Sequence, residues 1–238
     1  MPLDLYHPHI PQPTHPLILF IHGGGWQAGD ARTHATFGDF PAELQRWANL
    51  GYVVASVNYR LSPEAPYPAA VEDIQAALAW LHANAQRLTI DPQRTGLWGV
   101  SAGAHLAALS AVNAPVQAVV AWYGAFDLQT LDDLPPATAD AARRWLGDSQ
   151  NAASASPLRL LNADSPPMLL IHGDQDQVIP HRQSQAMARQ LNDDSQLLIL
   201  PGVGHSFTSP DAAQKQAAVT QAVQASEAFF QRWLQPAS

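Results

Sequence analysis

Short apolar runs, each closed by a turn signal, alternate along this chain with stretches of helical periodicity. The runs are Leu17 to His22, Tyr52 to Asn58, Thr95 to Val100, Val116 to Tyr123, Met168 to His172 and Gln196 to Leu200, with Leu3 to Tyr6 as a further edge strand. They are continuously apolar, the pattern of strands buried on both faces of a parallel sheet. Helical patterns fall between them at Phe40 to Leu50, Ala69 to Asn84, Ala102 to Asn113 and Arg182 to Leu191, and a last one runs from Asp211 to Leu234. Parallel neighbours must be joined by crossovers, so this alternation predicts an α/β fold with a mostly parallel, doubly wound sheet and helices on both faces. A dinucleotide-binding version would carry Gly-x-Gly-x-x-Gly after its first core strand. Here that strand leads into His22-Gly-Gly-Gly-Trp26 instead.

One interval breaks the rhythm. Phe126 to Ser165 is rich in Asp, Pro, Ala and Ser, with one helical stretch around Ala139 to Leu146, and is long for a connection. It reads either as a small lid over the sheet or as a plain surface excursion. The rest of residues 1–238 reads as one domain, since a chain of this length can bury a single core. A hydrophobic content of 47% with 13% charged residues suits a globular protein. Twelve basic against twenty acidic residues give a net charge of −8 without Lys/Arg clusters, which argues against nucleic acid or anionic membrane as a partner. No apolar run approaches the roughly 20 residues of a membrane span. The start, Met1-Pro-Leu-Asp-Leu-Tyr6, lacks a basic region followed by an apolar stretch, so no signal peptide is expected in this chain. The compartment and the oligomeric state stay open. With no cysteine, disulfides and thiolate chemistry are excluded.

Gly99-Val-Ser-Ala-Gly103 places a serine between two glycines where a strand turns into an alanine-rich helix, the sequence form of a nucleophile elbow. Small residues at Gly99 and Gly103 let helix and strand approach at such a turn. A serine hydroxyl needs a base and a group orienting that base. Met168 to His172 is followed by Gly-Asp-Gln-Asp176, and Gln196 to Leu200 by Pro-Gly-Val-Gly-His205. The chain order Ser101, Asp176, His205 puts each residue just past the carboxyl end of a strand, where open α/β sheets bind ligands. Asp174 competes as the acid, but Asp176 lies farther into the loop and is favoured to reach across to His205. Three consecutive glycines are entropically costly, and their use here is to present the N–H groups of Gly24 and Gly25, with that of Ala102, to a developing oxyanion. Trp26, next in line, is a candidate substrate-binding residue whose loss is expected to raise KM more than it lowers kcat; of Trp26, Tyr59, Trp122 and Tyr123, at least half are expected to be core. The His7-x-His9 pair lacks a carboxylate partner, so no metal is expected.

Together these residues resemble the α/β-hydrolase superfamily, and within it the hormone-sensitive-lipase-like and bacterial carbohydrate (acetyl or feruloyl) esterase branch. Besides HGGGW, GVSAG and HGDQD, the stretch Asn58 to Asp73 is similar to that branch's strand-to-helix segment, and Asp91 to Arg94 to the turn before its elbow strand. The resemblance implies Ser101 as nucleophile, Asp176 as acid, His205 as base, and Gly24, Gly25 and Ala102 as oxyanion donors, with no cofactor. It implies hydrolysis of small-molecule or carbohydrate esters by a serine esterase, with turnover falling as pH drops through the imidazole range. A formamidase, amidase or peptidase could use the same triad, and a non-catalytic binding protein could keep the fold. Three departures stand out: Ala104 replaces a usual glycine, Val100 stands where lipase-like members carry Asp, and little precedes the first strand. The last leads to an expected shallow, open acyl pocket.

Overall fold

The computed structural model describes residues 1–235. Seven strands form one sheet in the order β1-β3-β2-β4-β5-β6-β7. They are β1 (Leu3–Tyr6), β2 (His15–Ile21), β3 (Val53–Val57), β4 (Ile90–Val100), β5 (Ala118–Trp122), β6 (Met168–Gly173) and β7 (Gln196–Leu200). β1 pairs antiparallel with β3 at the edge, and every other pair is parallel. The helices between them are α1 (Phe40–Asn49), α2 (Ala69–Ala83), α3 (Ala85–Leu88), α4 (Ala102–Ser110), α5 (Pro136–Leu146), α6 (Pro157–Leu160), α7 (Arg182–Ala188) and α8 (Ala212–Leu234). This is the α/β-hydrolase arrangement, and no described helix is long and apolar enough to cross a membrane.

The side-chain period of two sorts each strand between two cores. Leu17, Leu19 and Ile21 of β2 join Leu97 and Val119 beneath α2, α4 and α5, while Ile18 and Phe20 join Trp98, Val120 and Trp122 beneath α1 and α8. Both faces are therefore dry over β2, β3, β5 and β6, as the continuous apolar runs require. β7 departs from that expectation: as the last strand of the sheet it leaves Gln196 and Leu197 exposed and packs only Leu198 and Leu200 into the core beneath α8. Caps fix two helix starts: the Asp39 side chain accepts from the N–H of Ala42 to begin α1, and that of Asp211 from Ala213 and Gln214 to begin α8.

Several boundaries differ from the sequence pattern. β4 begins at Ile90 instead of Thr95, because Ile90 and Asp91 pair with His15 and Pro16 before the ladder shifts register and 92–94 loop out. α4 stops at Ser110 and α7 at Ala188, each three residues short of the expected end. The interval 126–165 is more ordered than its composition suggests. α5 starts at Pro136, three residues early, and α6 at Pro157; each proline occupies a first-turn position, where its missing N–H costs nothing.

That interval is stitched to the body. Gln183 Oε1 accepts the N–H groups of Phe126 and Asp127 at 2.8 Å each. Thr138 Oγ1 donates to Val178 O at 2.7 Å, and Ala142, Trp145 and Ala155 are buried in the same core as β2 and α4. α5 thereby sits as a fixed wall over the carboxyl ends of the strands.

Candidate active site

The β4–α4 turn places Ser101 at φ 54°, ψ −122°, a strained conformation for a residue with a side chain. Its N–H donates to Trp122 O at 2.9 Å, so the strain is held by the neighbouring strand. The turn closes only because of the flanking glycines. A Cβ on Gly99 would lie 2.1 Å from Gly103 O, and one on Gly103 2.1 Å from Ile21 O. Trp26, Tyr123, Ser206 and Phe207 also have positive φ, which concentrates backbone strain around this serine.

The loops after β6 and β7 bring the two other residues across. Ser101 Oγ lies 3.0 Å from His205 Nε2, and His205 Nδ1 lies 2.7 Å from Asp176 Oδ2. Donors and acceptors fit a neutral Nδ1–H imidazole: the hydroxyl donates to Nε2, and Nδ1–H donates to the carboxylate. Asp174 is kept out of this line, its Oδ1 accepting the Gly202 N–H at 2.7 Å within the turn. Asp176 Oδ1 accepts two further N–H groups, from Val178 and Ile179, at 2.8 Å each. Burial by itself would raise its pKa, but hydrogen bonds from His172, His205 and Ile179, with the attraction of His205, hold the carboxyl well below the usual carboxylate range.

Gly24, Gly25 and Ala102 border the same pocket as Ser101. Among the described residues no protein acceptor takes their three N–H groups. Gly24 has φ +112°, and a Cβ there would lie 2.0 Å from Ala28 O, so the loop's path admits no side chain. The pocket has a volume of about 630 Å³, within the range of small-molecule sites. Ala35, Val100, Ala137, Ala141 and Val178 form much of its wall, and none of its lining residues is Lys, Arg, Asp or Glu.

Trp26 contributes to that wall but is only 1% exposed. Its ring stacks on Trp145 at 5.3 Å, and its indole N–H donates to His105 Nδ1 at 3.2 Å. The ring is thus held by packing on Trp145 and by the His105 bond, next to the loop that carries Gly24 and Gly25. Tyr59, Trp122 and Tyr123 are buried too.

Three contributors escape the sequence pattern. Tyr123 sets its ring edgewise on His205 at 4.8 Å, and burial pushes its phenol up to about 12. His105 Nε2 bonds Ala155 O at 2.8 Å, joining α4 to the interval over the pocket. His172 bonds Asp176. His105 carries no local signal, because its partners lie tens of residues away, whereas a strand-end position was the only mark of Tyr123 and of His172 in the HGDQD segment.

Comparison with known proteins places this geometry in context. Residues 3–191 match the BD-FAE family model, a span that includes Ser101 and Asp176 and ends before His205. The chain is 29% identical over 216 residues to Esterase LipQ of Mycobacterium tuberculosis, covering 81% of this chain and 50% of that protein. It thus spans about half the length of the curated relatives it matches. Among solved structures, a truncated carbohydrate esterase from gut microbiota superposes with a TM-score of 0.72 at 26% identity, over 94% of this chain and 90% of that one. Esterase 2 of Thermogutta terrifontis gives 0.79 at 24% identity, over 99% and 91%, a likeness of fold.

Proposed function

The chain belongs to the BD-FAE family, and from that premise we propose that it is a serine carboxylic ester hydrolase working through an acyl-enzyme on short-chain or aromatic acyl esters. The observation that carries this is the unbroken hydrogen-bonded line Ser101–His205–Asp176 beside three unpaired N–H groups. Ser101 Oγ attacks the ester carbonyl as His205 Nε2 takes its proton, and Asp176 keeps the imidazole in the Nδ1–H tautomer and stabilises its cation. Charge developing on the carbonyl oxygen meets the N–H groups of Gly24, Gly25 and Ala102, donors fixed in place before the reaction. His205 then protonates the leaving alkoxide, and water repeats the sequence to free the acid.

We read residues 1–238 as one domain with 126–165 as its cover. A largely apolar pocket with no Lys, Arg, Asp or Glu in its lining favours a neutral ester over a carboxylate- or phosphate-bearing substrate. The likeness to a carbohydrate esterase supports sugar esters as substrates, and acetyl and feruloyl groups are the acyl classes we propose for them. The test is hydrolysis of p-nitrophenyl esters from acetate to palmitate, with methyl ferulate and N-formylkynurenine alongside, by the wild type and Ser101→Ala. Turnover concentrated on acetate, butyrate or ferulate and reduced at least about 10⁴-fold in the variant is the expected result. Turnover of N-formylkynurenine alone moves the assignment to amide cleavage, and ester turnover that survives loss of Ser101 overturns the mechanism.

A further inference from the structure

Asp176 Oδ2 carries two imidazoles. His205 reaches it at 2.7 Å from the β7 loop, and His172, the penultimate residue of β6, reaches it at 3.2 Å from the strand. His172 is fully buried, and the partners of both its nitrogens are defined. Nε2 faces two acceptors, Asp176 Oδ2 and Ile179 O at 2.8 Å, so it must bear the proton. Nδ1 faces Ser184 Oγ of α7 at 2.7 Å, and the hydroxyl is free to donate to it. The result is a directed chain of donors, Ser184 to His172 to Asp176, that meets the proposed triad from behind.

We propose that His172 is a positioning residue for Asp176: its Nε2–H, set by the Ser184 hydroxyl, holds Oδ2 on the line along which that oxygen orients His205. The inference rests on the triad reading above. With the Val178 and Ile179 N–H groups on Oδ1, the carboxylate accepts four hydrogen bonds and has no freedom to rotate away from His205. The second donor on Oδ2 also draws charge from that oxygen, which limits how strongly it stabilises the His205 imidazolium. Without it Oδ2 becomes a stronger acceptor for the His205 Nδ1–H, the imidazolium is held more tightly, and turnover falls earlier on acidification. The titratable groups facing this cluster are Asp176, His205 and, from the end of β5, Tyr123, whose phenol the Asp176 charge reaches.

The experiment compares wild type, His172→Gln and His172→Leu in kcat and KM for p-nitrophenyl acetate across pH, with NMR of the histidine nitrogens and of the low-field His205 Nδ1 proton. In His172→Leu the acid limb of kcat/KM should move up by about half to one pH unit. There kcat should fall roughly tenfold with KM within about twofold, and the low-field proton should shift. His172→Gln, which can still donate, should stay close to wild type. An unmoved limb and resonance in His172→Leu, or equal impairment of the two variants, overturns the proposal. Should His172→Leu fail to fold, the wild-type spectrum decides. His172 protonated at Nε2 alone supports the proposal, and a proton on Nδ1 overturns it. If the wild type cleaves no ester, the ester-hydrolase reading fails, while the spectra still judge the link between His172 and Asp176.

Discussion

Acidifying this protein from about pH 7.5 to about pH 5 should cost it stability through His105, by an amount the structure sets. Burial drives the His105 pKa down from 6.5 to about 4, opposed only in part by the bond to Ala155 O. The tautomer explains why the neutral form is held: Nδ1 accepts the Trp26 indole N–H, so a second ring proton would set two donors against each other. Between those two pKa values the unfolded chain binds a proton that the folded chain refuses. Stability from this group is therefore complete above the unfolded value and drains away as pH falls toward the folded one. Linkage with these values gives a loss of about 2 kcal/mol between about pH 7.5 and about pH 5. His34, also lowered to about 4 by burial, adds to the wild-type slope, so the measurement must be a difference. Urea unfolding at both pH values should show a pH-dependent loss about 2 kcal/mol smaller in His105→Gln, whose amide offers an acceptor and a donor without titrating. Parallel pH profiles for wild type and variant would refute the reasoning.

Other perturbations separate residues that the sequence leaves adjacent. Asp176→Asn should lower kcat about 10⁴-fold by favouring the wrong His205 tautomer, whereas Asp174→Asn, which touches only the turn, should leave kcat within about threefold in the same ester assay. Gly103→Ala forces a Cβ to 2.1 Å from Ile21 O, so thermal unfolding should report a loss of roughly 3 kcal/mol or more, or no folded protein. Trp26→Ala should destabilise by about 3–5 kcal/mol and lower kcat more than it raises KM, because the ring packs beside the loop whose N–H groups we propose as oxyanion donors; a change confined to KM, with an unaltered melting temperature, would return Trp26 to a binding role.

The chain itself determined whatever depends on local spacing. Continuous apolar runs dictate strands buried on both faces, their alternation with helical periods dictates parallel crossovers, and Gly99 and Gly103 dictate a tight elbow, because no other residue fits between α4 and the ends of β2 and β4. That Ser101, Asp176 and His205 would meet was legible for the same reason: each follows a strand end, and the fold brings strand ends to one edge. The looped-out residues 92–94, by contrast, depend on pairing with β2, and the docking of α5 and α6 depends on Thr138 bonding Val178 O and on the Leu158 N–H bonding Phe126 O. Only the tertiary structure decided which histidines are buried with both ring nitrogens partnered and where Trp26 packs. The tautomers of His105 and His172, and the burial that commits Trp26 to Trp145, are set by partners from other elements, and hydrogen-bond complementarity in a dry interior is a property of the assembled packing.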